Sequence, residues 1–139
     1  SEMGNTVVAI SPDSKALYHA AAVMVSNQIV ALADMGTALL VKCGFSEAAA
    51  AEALSPLLLG NAQSVAEKGA VNALTGPIER GDAQTVSKHL QEIRKFAAES
   101  TVGQDILTAY TALSKQLIRI AQQKHPQKDY KHLEKELEQ

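Results

Sequence analysis

The sequence contains few of the residue types that mark particular protein classes. Its 139 residues include no tryptophan, one cysteine and four prolines, and 4% are aromatic. The single cysteine, Cys43, cannot form an internal disulfide, which fits a reducing compartment, so we predict a cytoplasmic protein. The formal charge of -2 provides no basic excess to displace counterions from nucleic acid or to bind an anionic membrane surface. We therefore expect no nucleic-acid partner and no membrane partner.

Patterns for binding metals and phosphates are missing as well. The sequence has no pair of cysteines, its histidines do not have metal-ligand spacing, and no glycine-rich phosphate loop occurs. We predict no metal site, and a nucleotide cofactor would need a phosphate loop outside these residues.

The longest apolar stretch covers residues 16–41. A helix that spans a bilayer needs about 20 consecutive apolar residues. Polar side chains interrupt this stretch before that length is reached: His19, Ser26, Asn27, Gln28 and Asp34. Because the stretch is otherwise apolar nearly all round, we predict a long, buried central helix. By the same reasoning, the charged residues 124–139 should form a solvated or peripheral helix.

Capping and breaking residues predict that almost everything after Ser11 is helical. The first helix covers residues 12–43, and Ser55 with Pro56 starts a separate helix that ends near Gly69. A single turn lies between Pro77 and Gly81, and further helices cover residues 82–99, 101–124 and the segment after Pro126. The predicted fold is an all-α multi-helix bundle with one long central helix.

The first predicted helix is long for its own domain. At 1.5 Å per residue it measures about 48 Å, whereas a compact globule of this chain length is about 37 Å across. Either Gly36 bends the helix, or a second subunit or another domain covers part of its apolar surface. We favour the second explanation and expect a homodimer, with small alanine side chains allowing close approach of the helices.

Residues 6–10, with the sequence Thr-Val-Val-Ala-Ile, have the pattern of a short β-strand, yet the chain offers no second strand. We interpret residues 1–11 as the last strand of an upstream sheet domain and residues 12–139 as a helical domain. The alternative is a short tag remnant followed by a disordered or exchanged arm.

The first candidate site lies in the N-terminal half of the long helix. Lys15, His19, Ala22 and Ser26 fall on one stripe, with Tyr18 and Asn27 along its borders. A desolvated Lys and His four residues apart can donate a proton, accept one, or hold a carbonyl or carboxylate oxygen, because burial moves the pKa values of both groups towards neutrality. The alternative is that Lys15 is a solvated first-turn residue and His19 a hydrogen-bonded core or interface histidine.

The second candidate site covers residues 73–82. Gly76 before Pro77 predicts an extended entry into a single helical turn, where Arg80 could bind a carboxylate or phosphate. The alternative is a connection whose glycines and proline serve only the backbone, with Arg80 paired to Asp82 or Glu79.

Three motifs carry a resemblance to a known family: KALYHAAAVMVSN (15–27), LSPLLLGNAQSVAEKG (54–69) and ALTGPIERGDAQTVSKHL (73–90). Over about residues 7–120 the chain resembles the C-terminal helical domain, of unknown function, of a family of NADP-dependent oxidoreductases. That domain is similar to the C-terminal domains of 6-phosphogluconate dehydrogenase and pyrroline-5-carboxylate reductase.

The resemblance implies a bundle of the 6-phosphogluconate dehydrogenase C-terminal type that follows a Rossmann domain. It implies a substrate-binding and dimerisation domain whose NADP or NAD is bound mainly by the missing N-terminal domain, and a small-molecule substrate.

Lys15 takes the place of the lysine of related β-hydroxyacid dehydrogenases, but His19 stands where they have Asn, so reduction of an imine or ketone is as compatible as oxidation of a hydroxy acid. Lys15 and His19 are the expected catalytic residues. The expected substrate-binding residues are Tyr18, Asn27, Thr75, Gly76, Arg80 and Asp82. The competing hypothesis is a free-standing helical interaction module without catalytic activity.

Overall fold

The computed structural model describes Gly4 and residues 6–139. The described residues form helices and no strand, which confirms the all-α prediction. A short 3-10 turn at Pro12–Ser14 comes first. It is followed by α1 (Lys15–Val25), α2 (Asn27–Lys42), α3 (Glu47–Ala73), α4 (Pro77–Arg80), α5 (Ala83–Glu99), α6 (Thr101–Lys124) and α7 (Lys131–Glu138).

The β-strand predicted for residues 6–10 is not formed. Val7 and Val8 are 93% and 73% exposed. The physical reason is that a strand needs a partner for its ladder of hydrogen bonds, and no second strand exists among the described residues.

The chain divides into two compact units, Ser1–Leu54 and Ser55–Gln139. The division falls inside α3 and inside the helical domain predicted for residues 12–139. The predicted boundary at residue 11 stays a prediction.

In the first unit, the long helix is interrupted at Ser26 and not at Gly36. Ser26 has φ -120° and ψ -73°, outside the helical region, and separates α1 from α2. Its hydroxyl lies 2.5 Å from the Ala22 carbonyl oxygen and 3.1 Å from Asn27 Oδ1, so its one proton serves two acceptors in competition. Gly36 continues the helix, and a Cβ there would lie 3.1 Å from Leu54 Cδ1. A side-chain hydroxyl that competes for helix carbonyls explains the break.

The apolar segment is helical, as predicted, but the prediction that it is buried is wrong for the chain by itself. Neither α1 nor α2 contains a buried residue, and Ala50 alone is buried among the described residues up to Leu54. By length and composition, Pro12–Lys42 is the one described stretch apolar enough to cross a membrane. Burial depends on what covers a helix, which its own sequence does not contain.

The separate helix predicted to start at Ser55 is also wrong, because α3 runs through Pro56 without leaving the helical conformation. Proline fixes φ near the helical value, so the helix can continue at the loss of one backbone hydrogen bond. Gly69, with φ 76° and ψ 164°, interrupts the helical dihedral angles close to the predicted end.

The second unit contains the hydrophobic core. The core side chains come from the residue after α3, from the residue before α7, and from α4, α5, α6 and α7: Leu74, Ile78, Val86, Leu90, Ile118, Ala121, Tyr130, Leu133 and Leu137. The α5–α6 hairpin turns at Ser100, whose hydroxyl accepts a hydrogen bond from Gly103 N at 3.0 Å and so caps α6. At Gly103 the end of α5 approaches so closely that a Cβ would lie 2.6 Å from Ala97 N and closer still to the Phe96 carbonyl.

The charged C-terminal segment is part of this core, which corrects the prediction of a solvated or peripheral helix. Tyr130, Leu133 and Leu137 are 2%, 1% and 5% exposed. Their spacing of three and four residues places them on one side of α7, while the lysines and glutamates cover the other. A high content of charge therefore hides a complete apolar stripe.

Candidate functional site

Lys15 and His19 lie on the same helix, α1, four residues apart. At this spacing the Cβ atoms of a helix are about 5–6 Å apart, so both side chains can reach one small molecule. Tyr18 lies beside them and is 67% exposed. Asn27 begins α2, where its Oδ1 lies 3.1 Å from Ser26 Oγ. The predicted stripe is therefore continuous from Lys15 to Ala22 and changes direction at the Ser26 break.

Both Lys15 and His19 are exposed in this chain. Desolvation, on which the predicted acid–base chemistry depends, is absent until something covers α1. Exposed apolar side chains also lie along α1 and α2, and each is at least 41% exposed: Leu17, Tyr18, Met24, Val25, Val30, Leu32 and Val41. They are spread over the length of both helices and over more than one side of them. Only a partner that covers the side of α1 carrying Lys15 and His19 would desolvate the pair.

The second group of predicted site residues surrounds α4, the single helical turn that the sequence predicts. Gly76 precedes it with φ 102° and Gly81 follows it with φ 74°, and both are conformations that residues with a Cβ rarely adopt. The two glycines therefore set the sharp entry into the turn and the sharp exit from it.

Thr75 and Arg80, at the two ends of this turn, are exposed. Asp82 instead caps α5, as the sequence predicts: its carboxylate accepts hydrogen bonds from Thr85 N at 3.0 Å and Thr85 Oγ1 at 2.7 Å. These two hydrogen bonds, helped by the nearby charge of Arg80, lower the pKa of Asp82. Arg80 is thus exposed, whereas both carboxylate oxygens of Asp82 accept hydrogen bonds from Thr85.

Glu79 is held by residues that the sequence analysis did not select. His125 Nε2 donates to Glu79 Oε1 at 2.6 Å, and Lys124 Nζ lies 4.0 Å from the same oxygen. Tyr130 Oη donates to the Glu79 carbonyl oxygen at 2.9 Å. Lys124 Nζ also donates to the Leu74 carbonyl oxygen at 2.8 Å. We call Lys124, His125 and Tyr130 with Glu79 the Glu79 clamp.

The electrostatics of the clamp follow from these contacts. The hydrogen bond from His125 lowers the pKa of Glu79, and the charges of Lys124 and Lys128 act in the same direction. Burial raises the pKa of Tyr130, and the neighbouring Glu79 carboxylate raises it further. At neutral pH the clamp therefore contains an ionised carboxylate and a neutral phenol that donates its proton.

The alternative interpretation in which Arg80 pairs with Glu79 is thus not met, because Glu79 pairs with His125. Sequence reasoning missed the clamp because Glu79 and its partners are 45 to 51 residues apart in the chain. Local spacing carries no signal over such a distance.

The two groups of predicted site residues lie in different units, Lys15 to Asn27 in the first and Thr75 to Asp82 in the second. Each group is brought together within its own unit. Their roles as catalytic or substrate-binding residues remain predictions.

Other polar clusters are sparse. In the described part of the chain no three side chains of His, Cys, Asp or Glu are grouped so as to hold a metal ion. His89 Nδ1 lies 2.9 Å from Tyr110 Oη on the exposed side of the α5–α6 pair, with the rings edge to face.

The architecture defines an all-helical protein with a multi-helix core in its second unit and an apolar, uncovered first unit. Residues 1–117 match the family described as a domain of unknown function (DUF2520), and the chain belongs to that family. No curated protein matches the chain, and no solved structure matches it.

Proposed function

We propose that this chain is the substrate-binding and dimerisation domain of an NAD(P)-dependent oxidoreductase, with a helical domain of the 6-phosphogluconate dehydrogenase C-terminal type. The observation that carries the proposal is that Lys15 and His19 lie four residues apart on α1, an exposed helix that is otherwise largely apolar. A partner that covers this side of α1 would enclose a polar pair in apolar surroundings, which is the usual form of a small-molecule site.

A second copy of the chain is the proposed cover. Full burial of a side chain such as Leu, Val or Met contributes roughly 1.5–3 kcal/mol, so side chains that are already partly buried contribute about 1 kcal/mol each. Two copies would cover at most fourteen large apolar side chains of α1 and α2, twice the seven present in one chain, so the resulting gain is an upper limit. The gross gain, on the order of 14 kcal/mol, is near the upper end of the cost of association, about 4–15 kcal/mol.

The residues of the proposed site fit a carbonyl or imine substrate. The Lys15 ammonium offers three hydrogen-bond donors, and the His19 imidazole can donate or accept a proton at either ring nitrogen. Enclosed by apolar surface, the pair would hold the substrate oxygen or nitrogen and supply its proton. The dinucleotide supplies the hydride when it is bound, and its phosphate loop belongs to the upstream Rossmann domain that we propose. Tyr18 and Asn27 would contact the substrate beside Lys15 and His19. In the second unit, Thr75, Gly76, Arg80 and Asp82 would make substrate contacts or subunit contacts of their own.

The catalytic part is tested in the full-length protein with NADPH and a panel of imines, keto acids and ketones. Lys15→Ala and His19→Ala should each lower turnover at least about a hundredfold, the lower end of the range for a general acid–base group, with the melting temperature unchanged. Gln28→Ala, a polar substitution on α2 outside the stripe, is the matched control. Unchanged kinetics in both variants would remove the proposed roles.

The dimer is tested by sedimentation velocity. A chain of 14.7 kDa should sediment as a species of twice that mass. Val25→Asp and Val30→Asp, at positions 72% and 70% exposed, should give monomers, whereas Val102→Asp, at a half-exposed position of α6, should leave the dimer intact. A wild-type chain that stays monomeric at high concentration, or that binds neutral lipid vesicles through Pro12–Lys42, would contradict the proposed dimer.

The second candidate function is a helical dimerisation or interaction module without chemistry, and the same apolar surface favours it. The sequence encoded upstream of Ser1 distinguishes the two. The oxidoreductase hypothesis requires a strand followed by GxGxxG and a helix, and the interaction module requires neither.

A further inference from the structure

The segment from Leu74 to Asp82 depends on side chains from elsewhere for its conformation. Its helix, α4, has four residues, and an isolated helix of that length is unstable in water because nucleation is unfavourable. Gly76 and Gly81 on either side lose more conformational freedom on ordering than any other residue type. Contacts made by the rest of the protein therefore decide whether this segment has one conformation.

Apart from the packing of Leu74 and Ile78 into the core, the hydrogen bonds from distant side chains come from one place, the end of α6 and the connection to α7. Lys124 Nζ binds the Leu74 carbonyl oxygen, next to the end of α3, and Tyr130 Oη binds the Glu79 carbonyl oxygen in α4. Carbonyls at helix ends lack intrahelical partners, so these two bonds satisfy acceptors that the segment cannot satisfy itself. His125 adds the charge-assisted bond to the Glu79 carboxylate at 2.6 Å.

Three of the clamp residues, Lys124, His125 and Tyr130, lie outside the part of the chain that matches the family, which ends at residue 117. Thr75, Gly76, Arg80 and Asp82, by contrast, lie inside it. Residues 74–82, which include the candidate binding residues, are therefore contacted by a part of the chain that lies beyond the family match.

We propose that Lys124, His125 and Tyr130 are positioning residues, which act through Glu79 to hold residues 74–82 in the conformation that presents Thr75 and Arg80 to solvent. The proposal rests on the proposed function only in treating this segment as part of a substrate site.

Acid should release the clamp. Glu79 is faced by Lys124 and His125 from the end of α6 and by Lys128 and Tyr130 from the connection to α7. Protonation of its carboxylate removes the ionised acceptor that the three basic groups share. Asp82 also titrates in the acid range and affects the same segment, so a Glu79→Gln variant is needed to separate the two carboxyls.

The test is hydrogen exchange and amide chemical shift by NMR on the intact chain at neutral pH. The reporters are the amides of Arg80 and Gly81, which donate to Gly76 O and Ile78 O, with the Leu90 amide of α5 as the internal reference. His125→Ala should speed exchange at Arg80 and Gly81 about tenfold, the effect of losing one hydrogen bond to a charged group, and leave Leu90 unchanged. His125→Gln, whose amide can donate to the same oxygen, should restore slow exchange, and His132→Ala in α7 is the matched control.

The pH arm separates positioning from general stability. In the wild type, the Arg80 and Gly81 shifts should titrate with a midpoint below that of an ordinary glutamate, and this step should vanish in Glu79→Gln. Unchanged exchange in His125→Ala, or equal acceleration at Leu90, overturns the proposal. If His125→Ala does not fold, Tyr130→Phe keeps the ring in the core, removes only the hydroxyl, and is judged by the same criteria. No turnover is measured, so failure here leaves the Lys15–His19 proposal standing, and failure of the kinetic test leaves this one standing.

Discussion

The same substitution, glycine to alanine, should have opposite effects at two helical positions of this chain. In α6, an alanine Cβ at position 103 would lie 2.6 Å from Ala97 N, where ordinary van der Waals contact begins near 3.4 Å. The backbone of the α5–α6 hairpin would have to move by more than the difference, about 0.8 Å, because the Phe96 carbonyl would be closer still. In α3, a Cβ at position 60 would have no atom within 4 Å.

The magnitudes follow from the two environments. Overpacking a close contact costs about 1–3 kcal/mol and occasionally more, and the atoms in the way at position 103 belong to the backbone, which cannot rotate aside. The higher helix propensity of alanine returns about 1 kcal/mol. Gly103→Ala should therefore lower the free energy of unfolding by about 2 kcal/mol, whereas Gly60→Ala should raise it by about 0.5–1 kcal/mol.

Urea denaturation followed by circular dichroism measures both variants against the wild type. A loss of about 2 kcal/mol in a unit of this size lowers the melting temperature by roughly 8–16 °C. If Gly103→Ala unfolds at the wild-type urea concentration or a higher one with an unchanged denaturant slope, the close approach of α5 and α6 is not as described. The Gly60 result sets the scale for helix propensity alone.

Three further predictions concern the core, a helix cap and pH. Leu133→Ala should lower the free energy of unfolding by about 3 kcal/mol, because Leu133 is 1% exposed. Leu113→Ala, at a position that is 42% exposed, should lower it far less. Equal melting temperatures for the two variants would show that α7 is peripheral. Ser100→Ala should cost about 1 kcal/mol through loss of the α6 cap, measured by denaturation, and Ser100→Asp, which retains an acceptor, should recover most of it. The pKa values of Glu79 and Asp82 are lowered in the folded chain, so the unfolded chain binds these protons first as the pH falls. Their stabilisation should be complete above the ordinary carboxyl range, near pH 4–5, and should be lost as the pH falls through the lowered pKa values; urea midpoints between pH 7 and pH 2 measure this, and a Glu79→Gln variant with an unaltered profile would contradict it.

Local features of the fold could be predicted from the sequence. Asp82 and Thr101 marked the starts of α5 and α6, and Gly76 with Gly81 marked the limits of α4, because caps and sharp turns depend on residues within a few positions of one another. The apolar stripe of α7 was also present in the sequence, but the prediction of a peripheral helix rested on its high charge and not on the spacing of its apolar residues.

Burial and long-range contacts could not be predicted in the same way. The apolar character of α1 and α2 identifies surface that favours being covered, but whether it is covered depends on a partner that the chain does not contain. The Glu79 clamp joins residues about fifty positions apart, and the fold alone brings them together. Of the candidate site, the sequence could therefore suggest Lys15, His19 and Arg80, but not Lys124, His125 and Tyr130, which contact Glu79 next to Arg80.

The separation of Glu79 from Tyr130 also bears on how the chain acquires its structure during synthesis. A chain grows at about 5–20 residues per second, and folding begins with the part that is made first. The 51 residues between Glu79 and Tyr130 therefore take about 3–10 s to add. The α5–α6 hairpin can form within that interval, but residues 74–82 cannot make all their contacts until Tyr130 has been added. The candidate binding segment is thus among the last parts of the second unit to form, although it is encoded near its beginning.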